Sequence, residues 1–125
     1  MDALPLHGNR LSGEDFVVVE WRAAPDTSAE RPVAGLHVHH EDDEAWYVLR
    51  GRIGFRLGHE EVEAGPGSAV LARRGTPHAY WNAGRERAEY LLVMPPRIAS
   101  LIDAVHEPGA DAPAVFKAHA SELLG

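Results

Sequence analysis

Apolar and polar residues alternate through the middle of the chain in short runs separated by turn residues. Phe16-Val17-Val18-Val19-Glu20-Trp21 is β-branched and aromatic and predicts a strand. Pro25, Asp26, Ser28 and Pro32 make residues 24–35 a loop by turn chemistry. A short strand is expected over 36–40, then a charged turn at Glu41-Asp42-Asp43, then a strand over 45–50 ending at Gly51. Ile53, Phe55 and Leu57 alternate with Gly54 and Arg56, so one face is buried and the other exposed. Gly58-His59 reads as a hairpin tip, residues 60–63 as the returning strand, and Ala64-Gly65-Pro66-Gly67 as a turn. Strands over 68–73, 79–82 and 88–94 complete the set. Short strands about ten residues apart, with no long helix between them, predict an all-β antiparallel sandwich or barrel.

From Pro95-Pro96 the period changes. Ile98, Leu101, Ile102 and Val105 fall at helical spacing, and residues 114–124 after Pro113 predict a second helix. Both are expected to pack on the outside of the barrel. At 125 residues the chain reads as one domain, 1–125, with the barrel over about 12–96 and a helical tail over about 97–125. A chain of this size buries roughly two-thirds of the surface that its unfolded form exposes.

Within this pattern one stretch carries chemistry. His37 and His39, one residue apart on a strand, point to the same side, and Glu44 follows; His78 lies on a separate strand. Imidazole nitrogens and one carboxylate form a typical shell for a divalent transition metal. His40 should point out by parity, and His7, His59, His106 and His119 sit in polar or amphipathic contexts that predict solvent exposure. Parity also places Trp46, two residues after Glu44, and Tyr80, two after His78, on the ligand face. Phe55 and Leu57 are expected to add apolar wall, and Arg73 to lie near the mouth, either paired with a substrate carboxylate or phenolate or simply on the surface.

Composition narrows the chemistry further. The chain has no cysteine, which excludes disulfides, thiolate catalysis and iron–sulfur clusters and fits a cytoplasmic setting. The segment Met1-Asp2-Ala3-Leu4-Pro5 lacks the basic and apolar regions of a signal peptide. Nothing approaches the roughly 18 apolar residues that span a bilayer. A net charge of −7 argues against polyanionic partners, so neither nucleic acid nor an anionic membrane is expected.

These residues resemble the cupin family. Its first motif is histidine, any residue, histidine, three or four residues, glutamate, six residues, glycine; here it reads His37-Val38-His39, then Glu44, then Gly51. The second is glycine, five residues, proline-any-glycine, two residues, histidine, three residues, asparagine; here it reads Gly67, Arg73-Arg74-Gly75, His78, Asn82. Arg73 replaces the motif proline. Arg31 stands where a glycine is expected six residues before the first histidine, with Gly35 closer in. Neither departure touches a ligand position.

The resemblance, to small quercetin-dioxygenase-like cupins in particular, implies a double-stranded β-helix (jelly-roll) barrel with short C-terminal helices. It also implies one divalent first-row metal per chain on His37, His39, Glu44 and His78: iron, manganese, nickel, cobalt, copper or zinc. One or two open positions would then receive substrate or dioxygen. The expected activity is that of a metal-dependent dioxygenase on a small aromatic or polyketide-like compound, with Glu44 as the base. A non-redox cyclase or isomerase, or a cupin that binds a small molecule without turnover, is the alternative. The absence of a helix-turn-helix domain argues against a regulator. A homodimer is expected, because the strand over 16–21 and the strand carrying Trp81 are apolar on both faces.

Overall fold

A computed structural model describes residues 9–125. His7 and the N-terminal segment read above for a signal peptide lie outside the described residues. The strands are β1 (Arg10–Ser12), β2 (Val17–Ala23), β3 (Ala34–His39), β4 (Glu44–Arg50), β5 (Ile53–Leu57), β6 (Glu60–Ala64), β7 (Ala69–Ala72), β8 (His78–Asn82), β9 (Ala88–Met94) and, last in the chain, β10 (Ser121–Leu123). Two helices, α1 (Pro96–Val105) and α2 (Ala112–Ala118), lie between β9 and β10. All pairings are antiparallel, in two five-stranded sheets ordered β1-β2-β9-β4-β7 and β10-β3-β8-β5-β6. This is the all-β double-stranded β-helix that the strand pattern and motifs predict.

Alternation does the sorting. Along β9, Ala88, Tyr90, Leu92 and Met94 are buried while the residues between them are half-buried, so one face turns to the opposing sheet. Trp46, Val48, Ile53, Phe55, Tyr90 and Leu92 form the centre of a single core between the sheets. Edge strand β6 carries Glu60, Glu61 and Glu63, charges that discourage pairing with another chain.

Two turns tie the sheets together where the motifs meet. The Asp43 carboxylate accepts from the Arg74 backbone N–H at 2.8 Å, and the Gly75 N–H donates to the His39 carbonyl at 2.8 Å. Gly75 sits at φ 82°, a left-handed conformation that a side chain disfavours. Arg74 also holds the Asp43 carboxyl below its ordinary value, through the backbone hydrogen bond first and the guanidinium second. Asn82, buried, donates to the carbonyls of Ala23 and Glu86, and so fixes the loop between β8 and β9.

The tail differs from the sequence reading. The second helix ends at Ala118 rather than continuing through residue 124. The chain turns at Ala120, held at φ 54°, and residues 121–123 pair with β3 instead. An unpaired edge of β3 beside buried histidines would leave backbone donors and acceptors without partners, and β10 supplies them. The helices do not rest on the outer face of a sheet. Their apolar sides, with Ile98, Leu101 and Phe116 buried, roof a cavity at one end of the barrel. No helix among the described residues is long and apolar enough to cross a membrane.

Candidate metal centre

His37, His39, Glu44 and His78 are all buried, and one ligand atom from each lies within 4.8 Å of the others. Strand parity turns His37 and His39 inward from β3, and register sets His78 on β8 directly opposite His37. Glu44 opens β4 in the facing sheet, and the turn locked by Asp43 and Gly75 brings it across. Although it follows directly on the charged turn at Glu41-Asp42-Asp43, Glu44 is only 5% exposed.

Hydrogen bonds fix which nitrogen of each ring faces the centre. His37 Nδ1 lies 2.6 Å from the Gly35 carbonyl and His78 Nδ1 lies 2.9 Å from the Thr76 carbonyl. A carbonyl only accepts, so both rings carry the proton on Nδ1 and present Nε2. His39 Nδ1 is 2.7 Å from Ser121 Oγ. Glu44 Oε1 stands 3.2 Å from His39 Nε2 and 3.1 Å from His78 Nε2.

That geometry fits a cation. With Nδ1 protonated, a neutral ring offers Nε2 as a bare lone pair, and a carboxylate lone pair about 3 Å away repels it unless a proton or a metal ion lies between. Ligands about 2.1 Å from an ion stand about 3.0 Å apart when they meet at right angles, close to the spacings found. Burial is the main reason that His37 is lowered to about 4, followed by the charge of His78, so its ring is neutral and ready to coordinate at physiological pH. Burial pushes Glu44 up, but when His39 and His78 carry a second proton, on Nε2, their hydrogen bonds and charge outweigh it and hold the carboxyl at about 2; a cation between them would act in the same direction.

The cavity of about 320 Å³ opens on His37, His39 and Glu44. Its walls come from Trp21 and Leu92 of the sheet, Ile98, Leu101, Ile102 and Val105 of α1, and Phe116 and Leu123 of the tail. Tyr80 lines it too, its hydroxyl 2.9 Å from that of Tyr90. Trp46 and Phe55 lie in the core beneath, in edge-on contact with one another, and the Trp46 ring packs 5.6 Å from His78. Leu57 packs against that core, and Arg73 is exposed on the turn after β7; neither lines the cavity.

His40 points outward and sits 3.6 Å from Glu122, and His59 is exposed. His106 is exposed yet lines the cavity rim, while His119 is half-buried, its Nδ1 2.7 Å from the Val115 carbonyl. The α1 stripe was legible as an apolar face, though not as a cavity wall. Phe116, Leu123 and Ser121 carry no comparable signal.

The Cupin domain model matches residues 24–94, more than half of the chain. No curated protein matches. Among solved structures, an uncharacterized conserved protein with a double-stranded beta-helix domain from Klebsiella pneumoniae is 26% identical, with 74% of this chain and 81% of that one covered and a TM-score of 0.57. A protein of Thermus thermophilus is 29% identical over 68% of this chain and 76% of its own, with a TM-score of 0.59. The polyketide cyclase RemF from Streptomyces resistomycificus is 28% identical over 66% of this chain and 56% of its own, with a TM-score of 0.55. Both motifs, the two-sheet barrel and the family match agree: the chain belongs to the cupin family.

Proposed function

We propose that the chain is a metal-dependent enzyme acting on a small, largely apolar compound of aromatic or polyketide type, with dioxygenation as its reaction. One observation carries the reading. The cavity is apolar along its walls and polar at the end formed by His37, His39 and Glu44. Among the described residues no lysine or arginine lines it, so a phosphorylated substrate would be buried with its charge unpaired, at a cost on the order of several kcal/mol. A neutral ring system with one enol or phenol oxygen suits it better: the ring meets Phe116, Leu101 and Ile98 while the oxygen faces the polar end.

A first-row divalent ion on the four residues would supply a Lewis acid for that oxygen and, if redox-active, a route to dioxygen. Glu44 is the group placed to take the substrate proton. Lowered to about 2, its carboxyl is ionised at neutral pH and so able to accept that proton. The cytoplasmic setting rests on the cysteine-free composition alone.

Non-redox cyclisation or isomerisation is the second reading, favoured by the likeness to a polyketide cyclase. Oxygen uptake by metal-loaded protein with a panel of flavonols and polyketides separates the two. Uptake matching substrate loss supports dioxygenation. Substrate loss at the same rate without oxygen supports cyclisation, and binding without loss supports a non-catalytic carrier.

A further inference from the structure

Two of the three histidines are oriented locally and one is not. His37 and His78 each use a backbone carbonyl two residues upstream on their own segment. His39 uses the Ser121 hydroxyl, which arrives from 82 residues later in the chain. Ser121 is 4% exposed and lies outside residues 24–94, the span of the family match.

A hydroxyl has one proton to give. Ser121 Oγ donates it to the His119 carbonyl at 3.0 Å, so toward His39 it can only accept, which puts the His39 ring proton on Nδ1 and leaves Nε2 bare toward Glu44. The backbone holds this arrangement in register. His40 donates to the Ala120 carbonyl and Leu124 to the Leu36 carbonyl, which makes Ser121–His39 and Leu123–His37 the closely spaced pairs of the ladder, with side chains on one face. Ala120 at φ 54° is the one non-glycine residue with positive φ among the described residues, and that bend lets the chain leave α2 and enter β10.

We propose that Ser121 is a positioning residue of the metal centre, fixing His39 in the tautomer that presents Nε2, so that docking of residues 112–124 and binding of a divalent cation are one coupled equilibrium. This rests on the metal-site reading above. Coupling is reciprocal: a cation on His39 holds the tail down, and a docked tail raises affinity for the cation. The same segment carries Phe116, whose ring meets His37 edge-on at 5.7 Å, so closing the cavity and orienting the ligand occur together.

Ser121→Ala and Ser121→Thr test it. Dissociation constants for zinc and for manganese are measured by chelator competition, and ring tautomers by nitrogen-15 imidazole spectra of the metal-free proteins. Ser121→Ala is expected to bind each metal 10- to 100-fold more weakly, about the range found when the partner of a ligating histidine is removed. The same variant should shift His39 away from the Nδ1–H form, and Ser121→Thr, which keeps the hydroxyl, should restore both readouts. Unchanged affinity in Ser121→Ala overturns the proposal, as does an Nε2–H tautomer at His39 in the wild type. Equal loss of affinity in both variants with the tautomer unchanged would assign Ser121 to packing alone and overturn it as well. A wild type that binds neither metal overturns the metal reading itself and the coupling with it, while the tautomer spectra still decide what orients His39.

Discussion

His37 links burial to acid sensitivity. Its ordinary value of 6.5 falls to about 4 in the folded chain, through desolvation first and the neighbouring His78 second. The unfolded chain therefore takes up a proton before the folded one does. The stability contributed is complete above 6.5 and is lost as pH falls toward 4, on the order of 3 kcal/mol in all. Glu44 acts lower, its stability present above 4.5 and lost as pH falls through about 2. In urea unfolding with a chelator present, stability should start to decline near 6.5, and His37→Gln should remove that upper limb. A decline beginning only below 4.5 would mean that His37 is not held neutral. Bound metal adds about 4 kcal/mol at a thousandfold excess over its dissociation constant, and this gain should shrink toward acid as protons compete for the rings. A thermal shift that stays constant from about pH 7.5 to about pH 5 would exclude the three histidines as ligands. His39→Ala should abolish metal retention by elemental analysis while circular dichroism shows an intact barrel, because the core of Trp46, Ile53, Phe55 and Leu92 does not depend on it.

At the scale of elements, turns decide whether the ligands meet. Gly51 closes the hairpin from β4 to β5 at φ 81°, and a Cβ there would stand 2.9 Å from the Ala88 backbone. Gly51→Ala should therefore cost about 1–3 kcal/mol in urea unfolding, from positive-φ strain and that clash; a loss of only a few tenths would show that the turn relaxes freely. The inward pair His37 and His39 was legible because a strand has a period of two, and Gly51, Gly75 and His78 were legible from spacing. The tail was not. Residues 114–124 are rich in alanine and leucine, strong helix formers, and no glycine or proline marks the turn at Ala120. What ends α2 is the free edge of β3, a tertiary fact with no local sequence signal. Trp46 and Phe55 were placed on the inward face by the same parity, yet parity does not tell core from cavity wall. That division depends on the depth of each residue along the barrel and on where α1 and α2 come to rest.

For the whole molecule, the expected homodimer takes a different basis from the one that the sequence offers. Trp21, 37% exposed, lines the cavity, and the half-buried Trp81 lies across Gly54, so neither ring forms part of a continuous apolar outer face. The outer face of the β1-β2-β9-β4-β7 sheet instead carries Leu11, Val18, Val93, Ala45 and Leu71 in one continuous cross-strand row, with Leu91 and Tyr47 beside it. Leu11, Leu71 and Tyr47 are exposed, and an apolar row of this length is a surface that a second copy would cover. Light scattering should give twice 13.6 kDa, and Leu71→Glu should yield the monomer; a 13.6 kDa wild-type particle at micromolar concentration would end the idea. The reach of the His39–Ser121 contact, 82 residues along the chain, also has a consequence in time. Strands β3, β4 and β8 must be in place before the four ligands converge, and β10 before Ser121 reaches His39, so the complete set of contacts to an ion is absent while the barrel is still assembling. Saturating metal should then leave the refolding rate unchanged and slow unfolding, by tenfold for about every 1.4 kcal/mol gained. In stopped-flow measurements, refolding that accelerates with metal would show the site forming early. With only unfolding slowed, the ion acts as a latch, setting how long each folded molecule lasts rather than how fast it is made.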